Sequence, residues 1–128
     1  MAGTDVWAGT VGGARGADRE TSLRGKLTAL LLLNLADALF TLSFLQLQVA
    51  EEANPIMRAA YAGSPALFLG VKLLLVHSGA MLLWIHRGTA AARTALAAGV
   101  GLYAAIVIYH CSFAARLAVA AMPWLSER

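Results

Sequence analysis

Residues 27–49 read LTALLLLNLADALFTLSFLQLQV, and Asp37 is the one charged residue among them. An α-helix rises about 1.5 Å per residue, so this run is long enough to cross a hydrocarbon core of about 30 Å. The alternative is a cleaved signal peptide, whose apolar region would end after about 7–15 residues and lead into small residues. This run instead continues to Gln48. It therefore predicts a spanning helix over about 27–49.

Two further apolar runs predict an all-α, polytopic membrane protein. The run at 66–86 holds one full charge, Lys72, and follows Ser64 and Pro65, which suit an N-cap and a first helical residue. The run at 95–121 carries a single charge near its far end. We expect three transmembrane helices, at about 27–49, 66–86 and 95–121, within a membrane domain over 23–128.

The first loop predicts a short interfacial helix over about 55–62. Asn54 and Pro55 form a second N-cap and first-turn pair. Ile56, Met57 and Tyr61 would fall on one side of that helix. Such an amphipathic segment is typical of a helix that lies against the bilayer surface.

The composition excludes most soluble classes of protein. The chain is 59% hydrophobic and 13% charged, whereas soluble domains are about 25% charged. The single cysteine, Cys111, excludes an intrachain disulfide framework and a multi-cysteine metal site. The net charge of +3 comes from basic residues that flank apolar runs, which favours anionic lipid over nucleic acid as a partner. Residues 1–22 lack a hydrophobic period and are predicted to be a disordered cytoplasmic tail.

Basic residues predict the orientation in a plasma (inner) membrane. They concentrate in the N-terminal tail and in the loop between the second and third runs: Arg15, Arg19, Arg24, Lys26, Arg87 and Arg93. The opposite side has only Arg58 and Arg128. By the positive-inside rule we expect a cytoplasmic N-terminus and a C-terminus outside. Trp84 would then lie near the inner boundary and Trp124 near the outer one.

Polar side chains of the first run share one side of its helix. At 100° per residue they fall within a stripe of about 60°; the stripe holds Asn34, Asp37, Thr41, Gln48 and, if the helix continues, Glu52. A charge near the bilayer centre costs about 2.5–3.5 kcal/mol, so Asp37 should face protein or water. Lys72 is the expected counter-charge, although counting from the helix ends puts it roughly 9 Å further out. It could instead reach Glu52 or extend to the outer interface.

Two intramembrane histidines are secondary candidates. His77 and His110 differ in expected height by about 7.5 Å, which is too far for a shared ion or an axial haem pair. We therefore predict no metal and no cofactor. His110 shares a side of its helix with Gly99 and Tyr103, so it is expected to be a neutral, hydrogen-bonded histidine in the bundle.

Small residues predict where helices pack closely. Gly79 could let the first helix approach the second. Ala97, Gly101 and Ala105 recur at four-residue spacing and offer a packing face on the third helix.

Three sequence elements resemble a known family. They are NLADALFT at 34–41, EANPIM at 52–57, and Lys72 in the following helix. This combination, over roughly 27–86, is similar to small prokaryotic membrane proteins catalogued as domain of unknown function 5658. The resemblance implies a compact multi-helix membrane domain and no assigned activity. By position it points to these residues: Asn34, Asp37, Thr41, Glu52, Asn54, Pro55 and Lys72.

Three hypotheses about function remain open. The first is a non-enzymatic membrane module, a partner-binding subunit or a homo-oligomer, in which the polar cluster fixes helix packing. The second is a proton- or ion-coupled carrier that uses Asp37. The third is a membrane enzyme that acts on lipid with Glu52 or Asp37 as general acid or base, and it predicts an outward-facing cleft beside Glu52. No soluble catalytic signature is present, which favours a non-enzymatic role.

Overall fold

The protein is a helical bundle with three candidate membrane spans. The structure is a computed structural model that describes the backbone of residues 5–122 and the side chains of residues 13–122. Its helices are α1 (Asp5–Gln46), α2 (Pro55–Gly63), α3 (Pro65–Ile85) and α4 (Ala90–Ala120). All but α2 are long and apolar enough to cross a membrane. The all-α, multi-pass prediction is thus confirmed, and Trp124 lies outside the described residues.

The predicted caps start the helices. The Asn54 side chain accepts a hydrogen bond from the Ile56 backbone N–H at 3.0 Å, and Pro55 opens α2. The Ser64 hydroxyl accepts from the Leu67 N–H at 3.0 Å and starts α3 in the same way. Each cap satisfies a backbone donor that the first turn leaves unpaired. The bounds of α2 and α3 differ from the predicted ones by a single residue at most.

Helix α1 begins earlier than the sequence predicted. Residues 5–22, predicted as a disordered tail, continue the helix to Asp5. Extending an existing helix avoids the unfavourable nucleation step, so a polar sequence without a hydrophobic period can remain helical. An ion pair one turn apart, Arg24 to Glu20 at 2.8 Å, supports this segment.

Helix α1 also ends earlier than predicted, at Gln46 instead of Val49. Gln48 has a positive φ of 57°, and the Val49 and Gln48 N–H groups donate to the carbonyls of Phe44 and Leu45. This is a Schellman ending, in which the left-handed position is usually a glycine. The stripe of α1 therefore stops before Glu52, which lies in the loop.

Helix α1 occupies the centre of the bundle. It packs against both α3 and α4, which make a smaller contact with each other. A Cβ at Gly99 would lie 3.3 Å from Leu30 Cδ1, so α1 and α4 approach closely there. Gly79 and Gly101 have open space around them. The predicted close approach at Gly79 is therefore wrong, and the approach occurs at Gly99.

Helix α2 covers one end of the α1–α3 pair. Its buried residue Met57 joins Leu45 of α1 and Phe68 of α3 in a small hydrophobic core. Phe68 is fully buried. Met57 packs against the bundle, whereas Ile56, which was expected on the same side of the helix, is exposed, so the predicted apolar side of α2 is only partly covered.

Candidate functional site: an intramembrane charge triad

Asp37, Lys72 and His110 meet inside the bundle and are called the charge triad below. The Lys72 Nζ donates to Asp37 Oδ2 at 2.6 Å. The His110 Nε2 donates to Asp37 Oδ1 at 2.8 Å. One carboxylate of α1 therefore binds a cation from α3 and an imidazole from α4. The expected pairing of Asp37 with Lys72 is present, and His110 is a second partner that the sequence did not indicate.

The three residues lie at similar heights because α1 is shorter at this end than predicted. Asp37 lies nine residues before the end of α1, Lys72 seven after the start of α3, and His110 ten before the end of α4. A difference of two residues corresponds to about 3 Å, which a lysine side chain spans easily. The predicted gap of roughly 9 Å arose from counting from Val49.

The side chains of the charge triad are largely buried. The exposed fractions of its side chains are 8% for Asp37, 17% for Lys72 and 15% for His110. Burying an ion is unfavourable unless a partner and hydrogen bonds compensate the charge. Here both carboxylate oxygens have a partner, and the lysine balances the charge of the aspartate.

Aromatic rings surround the charge triad. The His110 ring stacks on Phe40 with centroids 5.8 Å apart and meets Phe44 edge-on at 5.4 Å. The Lys72 Nζ lies 5.8 Å from the centroid of Phe68. Such rings exclude lipid and water from the ions, and the Phe68 ring contributes a cation–π contact. The helix α2 packs on the other side of Phe68, through Tyr61 at 5.9 Å.

A buried amide lies one turn along α1 from the charge triad. Asn34 is fully buried, and neither its Oδ1 nor its Nδ2 has a hydrogen-bond partner among the residues that the structure describes. The His110 Nδ1 is also buried without a partner. Because Nε2 donates to Asp37, the neutral ring carries an unprotonated Nδ1 that can accept. These atoms give the site unused hydrogen-bonding capacity beside its ions.

The side chains of the remaining sequence-predicted residues are not part of the charge triad, and those that hydrogen-bond do so with the backbone of neighbouring residues. The Thr41 hydroxyl donates to the Asp37 backbone carbonyl at 2.8 Å. Glu52 accepts from the Asn54 backbone N–H at 2.9 Å, and its own carbonyl accepts from Arg58. Within the described residues, Glu52 forms no ion pair with Lys72. Glu52, Asn54 and Pro55 therefore shape the turn that starts α2, so the Glu52 alternative for Lys72 is not adopted.

A cleft does lie beside Glu52, as the lipid-enzyme hypothesis predicted. Its volume is about 580 Å³, and Glu51, Glu52, Arg58 and Tyr61 are among its lining residues. The Glu52 carboxylate is engaged by its own turn. The enzymatic role stays a prediction.

His77 belongs to a different surface. Its ring is exposed, and Nδ1 donates to the Leu73 carbonyl at 2.7 Å. It lines a groove between α1 and α3 that also includes Trp84. Within residues 13–122, no group of three or more metal-ligating side chains is found.

The residues that sequence reasoning missed around the site are aromatic. Phe40 and Phe44 are four residues apart on α1, and Phe68 precedes Lys72 by one turn. Four-residue spacing puts such pairs on one side of a helix, and this signal was available. No sequence pattern indicated the rotation of α4 that turns His110 toward Asp37.

A buried charge triad shared by three spanning helices defines a small multi-pass membrane protein with an intramembrane ionic cluster. Residues 28–116 match the family model described as Domain of unknown function (DUF5658), and the chain belongs to that family. The match extends past the resemblance over 27–86 into α4 and includes His110. No curated protein and no solved structure matches the chain.

Proposed function

We propose that this protein is a non-enzymatic membrane module that associates with a second copy of itself or with another membrane protein. The observation that carries the proposal is that Asp37 uses both carboxylate oxygens within the chain. An ion cluster compensated in this way serves to fix the arrangement of three helices, since no charge remains for an external substrate. Buried ionic groups can select one packing among several.

The uncovered helix faces support association. Of the 18 consecutive residues that form the most apolar part of each helix, 28% are buried in α1, whereas 11% are buried in α3 and 11% in α4. Ala97, Gly101 and Ala105 are all exposed. Small residues at four-residue spacing let two helix backbones approach closely in a membrane. The predicted packing face of the third helix is thus available to a partner.

The first experiment tests whether the charge triad is structural. Membrane abundance and resistance to unfolding in SDS are measured for Asp37→Asn, Lys72→Met and the double variant. Each single change leaves an uncompensated group in the bundle, so both quantities should fall, and they should recover when both charges are removed. Full abundance in the single variants together with loss of a cellular phenotype would mean that the cluster is a working site.

The second experiment tests association directly. Cys111 is exposed and is the chain's single cysteine, so it accepts donor and acceptor dyes without further changes. Energy transfer in vesicles should decrease on dilution with lipid and should be weakened by Gly101→Leu. The matched control is Gly79→Leu, which also introduces leucine at an exposed glycine with open space around it. Equal weakening by both variants would count against the small-residue face.

We further propose a plasma (inner) membrane location with a cytoplasmic N-terminus and an outside C-terminus. The support is the basic character of one end of the bundle, where residues 13–26 and 86–94 hold six basic and two acidic residues. Reporter fusions after residue 88 and residue 128 test the orientation. A reporter that is active only in the cytoplasm should be active after residue 88 and inactive after residue 128. The reverse pattern would overturn the proposed orientation.

A proton- or ion-coupled carrier is the second candidate function. It is favoured by the buried polar atoms beside the charge triad that have no hydrogen-bond partner among the described residues. Next to Asp37, the Asn34 amide could hydrogen-bond a water molecule, and the His110 Nδ1 could accept a proton or a hydrogen bond. Proteoliposomes with an entrapped pH dye test this function. Proton flux that is present in the parent and lost in Asn34→Leu would support the carrier. Flux equal to that of empty vesicles would remove it.

A further inference from the structure

Residues 13–26 and 86–94 form the end of the bundle opposite to α2, called the basic end below. Trp84 borders the basic end, and two arginines that belong to different elements contact its ring. The Arg24 Cζ is 5.6 Å from the centroid of the indole, and the Arg87 Cζ is 4.6 Å from it. Like charges repel, so two guanidinium groups beside one ring form a site that favours an anion.

A groove runs from Arg24 toward the middle of the bundle, and Trp84 separates it from Arg87. It lies between α1 and α3, has a volume of about 520 Å³, and includes Arg24 and Trp84 at one end. Leu27, Leu31 and Met81 provide an apolar lining. His77 also lines the groove and lies seven residues before Trp84, which corresponds to about 10 Å along α3. The groove thus combines a cationic mouth with an apolar channel.

The acidic residues of this region leave the cationic mouth only partly neutralised. Glu20 binds one nitrogen of Arg24 at 2.8 Å. A guanidinium carries five N–H donors in a planar fork, so Arg24 retains donors for another anion. Arg87 donates to the Trp84 carbonyl with one nitrogen; within the described residues it forms no ion pair, although the Glu20 carboxylate is near enough to interact with its charge.

We propose that this groove binds one anionic phospholipid, with the phosphate at Arg24 beside the Trp84 ring, in the field of Arg87, and an acyl chain along the apolar lining. Charge complementarity selects this occupant, because basic pockets between spanning helices attract anionic head groups. A soluble anion would leave the apolar lining uncovered, whereas a zwitterionic lipid would gain little from two arginines. Tryptophan is favoured at the level of the head groups, which is consistent with Trp84 near the end of α3.

Bromine quenching of Trp84 tests the proposal in the full chain. The chain has three tryptophans, so Trp7→Phe and Trp124→Phe make Trp84 the single reporter. The protein is reconstituted in vesicles of phosphatidylcholine that contain the same fraction of either brominated phosphatidylglycerol or brominated phosphatidylcholine. We expect the anionic lipid to be preferred at Trp84 by about fivefold for each arginine engaged, which is the equivalent of ~1 kcal/mol per basic residue.

Charge-removing variants make the test specific. The preference should fall part of the way in Arg24→Gln and in Arg87→Gln, and to about onefold in the double variant. Arg58→Gln and Arg116→Gln, which remove arginines away from the basic end, are the matched controls and should keep the parent's preference.

Three outcomes would overturn the proposal. Equal quenching by both lipids in the parent would show that the groove does not select an anion. A preference that survives the double variant would show that the two arginines do not create it. Protection of Trp84 from both lipids that grows with the protein-to-lipid ratio would mean that a second copy of the chain covers the groove.

Discussion

The charge triad and the basic end hold similar side chains in opposite circumstances. At the charge triad, Lys72 is largely buried and is paired with Asp37 at 2.6 Å. At the basic end, the Arg24 side chain is 67% exposed and its partner Glu20 is 49% exposed. Both cations also lie near an aromatic ring, Phe68 and Trp84 respectively. The difference is therefore the depth of the ions and not the types of residue.

The depth of an ion in the bundle determines how much its pairing contributes to the stability of the fold. Within the bundle, water is excluded, so an ion that loses its partner remains as an uncompensated charge. At the membrane surface, an ion that loses its partner is solvated again, and exposed pairs contribute little to stability. The charge triad should consequently govern folding, whereas the basic end should govern contacts with lipid. Four substitutions test this division, in order of decreasing expected effect.

The largest effect is expected for Lys72→Met, which removes a cation and leaves Asp37 buried with only His110. Breaking a buried ion pair from one side typically costs about 3–5 kcal/mol. The free energy of unfolding, measured by SDS titration in mixed micelles, should fall by an amount of this order. Arg24→Met is the matched control at the basic end and should leave it nearly unchanged. Similar losses in both variants would contradict the conclusion that the depth of an ion determines its contribution to stability.

The next effect is expected for His110→Phe, which keeps an aromatic ring between Phe40 and Phe44 but removes the donor to Asp37. A hydrogen bond to a charged group contributes about 1.5–3 kcal/mol. The substitution also removes the unpartnered Nδ1, so we expect a loss near the lower end of that range in the same SDS titration. A more stable variant would show that the imidazole is kept for function and not for packing.

The sequence was sufficient for the spans, for the caps at Asn54 and Ser64, and for the pairing of Asp37 with Lys72. These features depend on local patterns and on the cost of an unpaired charge in a membrane. The sequence predicted a hydrogen-bonded His110 in the bundle but not its partner Asp37, because periodicity indicates which residues share a side of α4 but not how α4 is rotated against α1. The end of α1 was missed because Gln48 occupies a left-handed position where glycine is the usual signal.

The third substitution, Asn54→Ala, affects the turn that starts α2, on the side of the charge triad away from the basic end. The Asn54 side chain caps α2, and α2 covers Phe68 beside Lys72. Loss of an N-cap costs about 1 kcal/mol. We expect a modest decrease in unfolding free energy and faster hydrogen exchange in α2, measured by mass spectrometry. Asn54→Asp, which keeps a capping oxygen, should behave like the parent; faster exchange in both variants would exclude capping as the cause.

The smallest effect is expected for Glu20→Gln at the basic end. It removes the partner of Arg24, but both side chains are largely exposed, so water replaces the lost contact and the unfolding transition should not shift measurably. The same change frees the Arg24 guanidinium beside Trp84. Preference for brominated phosphatidylglycerol at Trp84 should therefore rise while stability stays constant. A loss of stability without a change in lipid preference would mean that the polar extension of α1 depends on this pair, and that the basic end also takes part in folding.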